Sequence, residues 1–232
     1  MDRNRQTIDV ASAGRYRADG IGIGGEISRN KVLRNTYALL SLNLAFAALV
    51  AGGSAMMGLP HPGIILTLVG YFGLLFLVSK FRESSAGVLL TFAFTGFLGY
   101  TLGPIINAYL GLPGGGQIVA TALGGTAVIF GGLSAYALTT KRDFSGMGGY
   151  LTAGILTAFV LGLVAIFFSM PALSLAVSAM FMLLMAGLII FQTQAIVNGG
   201  ETNYVMATIT LFVTIFNLFL SLLQLLGFAN SD

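Results

Sequence analysis

The sequence predicts an all-α membrane protein, a bundle of seven transmembrane helices, and the distribution of charge is the main observation behind that prediction. Charged residues make up 8% of the 232 residues, whereas about a quarter of the residues of a soluble domain are charged. Two long intervals, residues 84–140 and 144–200, contain no charged residue at all. Because such intervals offer no water-facing surface, the chain is predicted to lie in a lipid bilayer.

The apolar stretches divide into seven predicted spans. A transmembrane helix needs about 20 mainly apolar residues, and glycine, proline or charge clusters mark the ends of these stretches. The least distinct boundary is at Pro171, which ends or kinks a helix while leaving almost no loop, and it predicts a tight helical hairpin. The predicted spans are residues 36–57, 63–79, 86–110, 117–139, 149–170, 172–192 and 204–226.

All eleven basic residues fall on one predicted side of the membrane. Seven of them precede the first span, and the others lie in the loops after the second and fourth spans: Lys80, Arg82, Lys141 and Arg142. Since Lys and Arg in short loops stay on the cytoplasmic side, this pattern predicts a cytoplasmic N-terminus and an external C-terminus. Their position beside membrane helices favours attraction to lipid headgroups over binding of nucleic acid.

The chain is predicted to have two parts. Residues 1–28 are polar and show no apolar periodicity, so they are predicted to be a flexible cytoplasmic tail. Residues 29–232 form the predicted seven-helix transmembrane domain, and no linker long or polar enough to divide it occurs.

No catalytic, metal or cofactor site is predicted. Cysteine is absent, neither an HExxH nor a GxSxG motif occurs, and no acidic pair lies within a span. The single histidine, His61, lies between two prolines and is interpreted as a solvated turn residue or, alternatively, as a pH sensor. Residues 20–25 satisfy GxGxxG, but that motif binds a dinucleotide only where it links a strand to a helix. The chain is therefore predicted not to be an enzyme.

The polar side chains inside the spans are amides and hydroxyls rather than ionisable groups. Interhelical hydrogen bonds and a polar conduit through the sixth and seventh spans are both open interpretations. Asp143 and Glu201 precede helices, where a carboxylate stabilises the helix N-terminus. Gly99 and Gly103 form a GxxxG motif that favours either packing within the bundle or dimerisation. The candidate polar cluster comprises Asn43, Asn107, Gln192, Thr210, Thr214 and Asn217.

Four stretches resemble the Bax inhibitor (TMBIM) family. They are TTKRDFSGMGG at residues 139–149, FTGFLGYTLGP at 94–104, GGETNY at 199–204 and LFVTIFNLF at 211–219. The first three residues, with KVLRNTY at residues 31–37, resemble the bacterial YccA branch of that family.

The resemblance implies a seven-helix bundle of the Bax inhibitor type in the bacterial inner membrane, with a central hairpin-like helix surrounded by six others. In that membrane the external side, where the basic residues place the C-terminus, is the periplasm. It also implies two alternative functions. Members similar to the YccA branch are substrates and modulators, acting as inhibitors, of the membrane protease FtsH, together with its partners HflK and HflC. Other members are calcium leak channels gated by two aspartates, so the alternative is an ion leak channel or a small transporter.

The sequence departs from the channel members at both gating positions. Gln192 replaces the family's aspartate at the end of the sixth helix, and Thr214 replaces the aspartate of the seventh. Neither side chain titrates, so a proton-gated carboxylate pair cannot form at these positions. The resemblance therefore favours a modulator of the FtsH protease over a pH-gated calcium channel.

Overall fold

The computed structural model describes the backbone of residues 7–230 and the side chains of residues 31–230. Within this part of the chain every regular element is helical, and seven helices are long and apolar enough to cross a membrane, which confirms the predicted fold class. A short 3-10 turn at Ser145–Met147 precedes the fifth helix. The long helices are α1 (Thr7–Met56), α2 (Ile64–Phe81), α3 (Ser85–Leu110), α4 (Gly115–Thr139), α5 (Gly148–Phe167), α6 (Pro171–Val197) and α7 (Tyr204–Ala229).

The first helix begins earlier than the sequence predicts. Its membrane-spanning part is Lys31–Met56, but α1 extends back to Thr7, so the backbone of residues 7–28 is helical where no regular structure is predicted. No proline occurs before Pro60, so no residue in this stretch lacks the N–H group that a helix requires. Residues 1–6 lie outside the described part of the chain, and the division into tail and membrane domain stays a prediction.

The hairpin between α5 and α6 forms at the proline that predicts it. Pro171 is the first residue of α6, where its missing N–H has no helical partner to lose. Ser169 adopts φ 50°, and the N–H of Met170 bonds to the carbonyl oxygen of Ala165 at 2.9 Å, which closes the end of α5. The two helices therefore pack against each other with a connection of three residues, 168–170.

The centre of the bundle is α7. It packs against α1, α2, α3, α4 and α6, whereas α5 packs on α6 at the periphery. Each of three apolar clusters in the bundle includes residues of α7, among them Phe212, Leu218 and Leu223, which are almost fully buried. The central helix is therefore α7, and it differs from the hairpin-like helix surrounded by six others that the resemblance implies, since it is one continuous helix in contact with five of them.

The closest helix pair is α1 with α3, and glycine permits that approach. A Cβ atom at Gly99 would lie 2.5 Å from the carbonyl oxygen of Ala47, and one at Gly103 would overlap Ser54. Ser54 Oγ also donates to the carbonyl oxygen of Tyr100 at 3.1 Å. The GxxxG motif therefore packs within the chain, which decides between the two interpretations left open by the sequence.

The charged side chains between Lys31 and Asn230 share one end of the bundle. Hydrogen bonds join the loops at that end, since Asn203, before α7, contacts Arg82, and Gln194, near the end of α6, contacts Arg142. The opposite end is held by neutral groups, including the bond from Asn230 Nδ2 to the carbonyl oxygen of Pro113 at 2.9 Å. The structure thus places the basic loops on one side, as the sequence predicts.

Candidate functional site

The two positions where the family resemblance places gating acids lie on α6 and α7. Gln192 is half-buried near the end of α6, and its side chain makes no hydrogen bond with another described residue. Thr214 is fully buried in α7, and its Oγ1 donates to the carbonyl oxygen of Thr210 at 2.7 Å. This bond commits the single hydroxyl proton of Thr214 to its own helix. Both positions therefore hold neutral side chains that cannot respond to pH.

Asn43, the first member of the candidate polar cluster, joins α1 to α3. It is fully buried, and its Nδ2 donates to Thr91 Oγ1 at 3.1 Å and to the carbonyl oxygen of Leu39 at 2.9 Å. Its Oδ1 accepts a hydrogen bond from Thr95 Oγ1 at 2.8 Å. Because both ends of the amide are bonded, Asn43 acts as a buried link between α1 and α3.

The other amides do not join Asn43 in one hydrogen-bonded cluster, and in this respect the structure differs from the prediction. Asn107 is exposed in the last turn of α3, at the end of the bundle opposite Gln192. Asn217 is half-buried on α7, and its Nδ2 donates to the carbonyl oxygen of Val213 on the same helix at 2.9 Å. The physical reason is that Asn107 lies near the end of α3, at a different depth from Asn43, while the amide of Asn217 is bonded to a backbone carbonyl of its own helix.

A polar group that the sequence interpretation missed links α6 to α7. Gln224 Nε2 donates to Ser174 Oγ, and Ser178 Oγ donates to Gln224 Oε1, each at 2.6 Å. A signal for it exists in the sequence, since Thr210, Asn217 and Gln224 recur every seven residues. Residues at that spacing share one helix face, and all three are half-buried, so α7 carries a polar stripe along one side.

The charged end of the bundle contains a buried amide that holds a loop. Gln194 is 6% exposed at the end of α6; its Nε2 donates to the carbonyl oxygen of Arg142 at 2.7 Å, and its Oε1 accepts from the N–H of Phe144 at 3.0 Å. The side chain thus bonds the loop backbone on both sides of Asp143, which is fully exposed. Asp143 Oδ1 accepts from the N–H of Ser145 at 2.9 Å, and this bond lowers the pKa of the carboxyl.

A second amide, Asn203, joins the start of α7 to the loop between α2 and α3. Its Oδ1 accepts hydrogen bonds from the N–H groups of Val205 and Met206, each at 3.0 Å, which caps α7. Its Nδ2 donates to the carbonyl oxygen of Arg82 at 3.1 Å and to Glu83 Oε1 at 3.0 Å. One side chain therefore closes a helix end and orients a charged loop.

The two carboxylates predicted to stabilise helix N-termini, those of Asp143 and Glu201, do not bond directly to the first turn of a long helix. Glu201 Oε1 accepts from the N–H of Asn203 at 2.8 Å, so it supports the capping residue rather than capping α7 itself. Asp143 bonds at the start of the 3-10 turn that leads into α5. Asn203 was not among the predicted residues, although asparagine just before an apolar helical run is a strong capping signal.

Several hydroxyl groups near the charged end of the bundle are buried and have few hydrogen-bond partners among the described residues. Thr36 Oγ1 and Ser134 Oγ have no hydrogen-bond partner among the described residues. Tyr37 Oη lies 3.3 Å from Thr193 Oγ1. Thr208 Oγ1 donates to the carbonyl oxygen of Tyr204 on its own helix at 2.7 Å and lies 3.2 Å from that of Thr36 on α1. The contacts that join α1 to α6 and α7 here are therefore longer than the usual distance of about 2.7 to 2.8 Å for hydroxyl donors.

The described residues contain no group of three or more His, Cys, Asp or Glu side chains that could hold a metal ion. His61 is exposed, and its Nδ1 accepts from the N–H of Gly63 at 3.0 Å, so it shapes the turn before α2. Its position agrees with the interpretation as a turn residue.

Comparison with known proteins identifies relatives over almost the whole chain. A family model described as "Inhibitor of apoptosis-promoting Bax1" matches residues 29–231. A protein of Escherichia coli K12 named "Modulator of FtsH protease YccA" is 55% identical over 207 residues, covering 89% of this chain and 94% of the relative. The corresponding protein of Escherichia coli O6:H1, named "Inner membrane protein YccA", has the same identity and the same coverage.

A further relative, an uncharacterized protein of Pseudomonas aeruginosa, is 53% identical over 201 residues, which cover 87% of this chain and 90% of the relative. The family model extends through all seven spans, so the positions of Gln192, Gln194 and Asn203 lie within the architecture of that family. With the family model matched from the start of the first span to the last helix, this multi-pass membrane protein belongs to the Bax inhibitor family.

Proposed function

We propose that the protein is an inner-membrane modulator of the protease FtsH that acts as a slowly degraded substrate. The observation that carries this proposal is the 55% identity, over 89% of the chain, to an Escherichia coli protein named as a modulator of that protease. The name "Inner membrane protein" of the second Escherichia coli relative supports the location.

The packing of the bundle supports a mechanism of competitive occupation. A protease that pulls a membrane protein out of the bilayer must separate its helices, and here α7 contacts five of the other six. Hydrogen bonds between helices, such as those of Asn43 and Gln224, must break in the same step. We infer that the bundle resists extraction, so that the occupied protease degrades other substrates more slowly.

The segment before the first span is the proposed handle for the protease. Residues 1–28 contain eight charged residues and no long apolar stretch, and we propose that they extend into the cytoplasm. The helical part, residues 7–28, would reach about 33 Å at 1.5 Å per residue. If unfolded, the whole segment would reach roughly 100 Å, which is long enough to enter a cytosolic ATPase. HflK and HflC are proposed partners in the same assembly.

The orientation in the membrane is part of the proposal, because the handle must face the cytoplasm. All eleven basic residues support a cytoplasmic N-terminus and a periplasmic C-terminus. Reporter fusions at Gly114 and Asp232 should report the periplasm, and fusions at Ser84 and Ser145 the cytoplasm. A cytoplasmic signal from Asp232 would contradict the orientation and the proposed handle together.

The alternative, an ion leak gated by protons, lacks the groups on which such gating depends. The described parts of the spans hold no carboxylate, and Gln192 and Thr214 stand at the two family positions. Calcium flux into liposomes should therefore show little dependence on pH, whereas Gln192→Asp with Thr214→Asp is expected to introduce some. A strong flux with a transition near neutral pH in the unchanged protein would favour the channel.

The modulator is tested by measuring its lifetime and that of a second FtsH substrate in the same cells. Deleting residues 3–16 should lengthen the lifetime when FtsH is present and should change nothing when it is absent. The matched variant is Gly99→Leu, which keeps residues 1–28 but pushes α1 away from α3. This variant should have a shorter lifetime than the unchanged protein and should no longer protect the second substrate from degradation. Equal lifetimes for all three proteins, or failure to co-purify with FtsH, would contradict the proposal.

A further inference from the structure

One end of the bundle presents a cationic platform, which we define as residues 80–84, 140–147 and 198–203. Its basic side chains, Lys80, Arg82, Lys141 and Arg142, are all exposed. The start of the first span adds Lys31 and Arg34 at the same end, and the opposite end has no basic residue. The charge of the described bundle is therefore concentrated on a single face.

The acidic residues of the platform are engaged locally and leave most of the cations unpaired. Glu83 contacts Arg82 at 3.5 Å and accepts a hydrogen bond from Asn203, and this is the single ion pair among residues 31–230. Asp143 and Glu201 each accept a backbone N–H, from Ser145 and Asn203 respectively. Lys80, Lys141 and Arg142 consequently have no carboxylate partner in the described structure.

The two basic loops are held in fixed positions by buried or capping amides. Gln194 bonds the backbone at Arg142 and Phe144, and Asn203 bonds the backbone at Arg82. Both amides belong to α6 or to the start of α7, so the central helices determine where the cations lie. A charged loop that needed only to be soluble would not require a 6% exposed glutamine to position it.

We propose that the cationic platform binds the phosphate groups of anionic phospholipids in the adjoining leaflet. The basic residues lie within a few residues of the ends of α2 and α4, and this places them at the depth of the headgroups. Lys80 Nζ lies 5.7 Å from the ring centroid of Phe81, a cation–π contact that keeps the ammonium group beside the end of α2. The planar fork of Arg142 matches the geometry of a phosphate.

The test uses the full chain in nanodiscs of phosphatidylcholine alone or mixed with phosphatidylglycerol, and it measures lipid preference and thermal stability. Phosphatidylglycerol should be enriched around the protein and should raise its melting temperature. Lys141→Gln with Arg142→Gln should reduce the preference by about fivefold per cation at low ionic strength. High salt should have the same effect as the double substitution.

Gln194→Leu tests whether the position of the basic loop matters independently of its charge. The substitution removes the hydrogen bonds that hold the loop and leaves every cation in place. It should lower the preference for phosphatidylglycerol. Arg142→Lys, which keeps the charge but loses the planar fork, should lower that preference less than the loss of the charge does. The matched control is Gln224→Leu, which removes an amide bonded to Ser174 and Ser178 at the far end of the bundle. This control should reduce stability equally in both lipid mixtures.

Three results would overturn the proposal. The first is equal stability with and without phosphatidylglycerol; the second is an unchanged preference in the Lys141→Gln, Arg142→Gln protein. The third is a shift of the same size when inorganic phosphate is added to phosphatidylcholine nanodiscs, because it would identify free phosphate as the ligand. If Gln194→Leu does not fold, the double charge variant still decides the outcome.

Discussion

The helices α7 and α2 are almost equally apolar, yet they occupy opposite positions in the bundle. Half of the most apolar 18-residue stretch of α7 is buried inside the protein, against 6% of the corresponding stretch of α2. Val78 is the single buried residue of α2, whereas α7 buries thirteen. Hydropathy therefore determines which segments enter the bilayer, but it does not determine which of them becomes the centre.

The two helices differ in the side chains that they present to neighbouring helices and to lipid. Lipid is as apolar as leucine, so helices associate through close packing and hydrogen bonds rather than through the hydrophobic effect. Along α7 the hydroxyls of Thr208, Thr214 and Ser221 are buried, and the small side chain of Ala207 is buried next to the first of them. The exposed face of α2 carries Ile65, Val69 and Phe76, which suit contact with acyl chains.

The largest expected effect is on the free energy of unfolding, and it is tested by replacing one phenylalanine on each of the two helices. Phe212 is 1% exposed on α7, and Phe212→Ala should leave a cavity at the centre and lower the free energy of unfolding by about 3 kcal/mol. Phe76 is 65% exposed on α2, so Phe76→Ala should change it by less than about 0.5 kcal/mol. Unfolding in bicelles measures both. Similar losses would mean that α2 contributes to the core as much as α7.

A second test uses glycines on inner and outer faces and predicts opposite signs. Gly99→Ala would place a Cβ 2.5 Å from a backbone oxygen of α1, so it should destabilise the bundle by about 2 kcal/mol. At Gly124, on the outer face of α4, a Cβ would meet nothing within 4 Å. Gly124→Ala should therefore be neutral or stabilise by up to about 1 kcal/mol, through helix propensity. Destabilisation by both substitutions would remove the distinction between the faces.

The fold could be predicted from the sequence because the signals that define it are long. Uncharged intervals and basic loops fix the number of spans and the end that carries charge, and the structure agrees on both. The backbone of residues 7–28 could not be predicted in this way, since a polar segment without periodicity fits a helix or a coil equally well. Nor does hydropathy alone distinguish α7 from α2; the family resemblance implied a central helix without identifying which one, and only the structure shows that it is α7.

The candidate site was less predictable, because it depends on which side chains meet across helices. Asn43 was identified, but its partners Thr91 and Thr95 belong to α3 and have no sequence relation to it. Gln194, two residues after the predicted position Gln192, was missed because its function depends on a loop fifty residues away in sequence. The seven-residue spacing that ends at Gln224 could have been recognised, since it is a property of one helix.

A third test compares substitutions of two asparagines, for which we expect a smaller effect on the free energy of unfolding. Asn43→Leu removes the bonds to Thr91 and Thr95 from a fully buried site, and interhelical bonds in membranes contribute about 0.6 kcal/mol each on average. A loss of about 1 kcal/mol is therefore expected. Asn107→Leu, on the exposed last turn of α3, should have no measurable effect. A loss at Asn107 as large as that at Asn43 would indicate a contact outside the described bundle.

The smallest effect is expected at Asp143, where the inner helix α6 holds the loop before the outer helix α5. The hydrogen bond from the Ser145 N–H lowers the pKa of this carboxyl below its usual 3.8, so the ionised form stabilises the loop. That stabilisation is complete above the usual pKa and disappears as pH falls through the lowered pKa.

Amide exchange at Ser145, corrected for its intrinsic rate, should therefore accelerate in acid. Asp143→Asn keeps the acceptor without the charge and should abolish the pH dependence, whereas Asp143→Ala should accelerate exchange at every pH. If protection in the unchanged protein persists in acid, then Gln194 alone holds the loop.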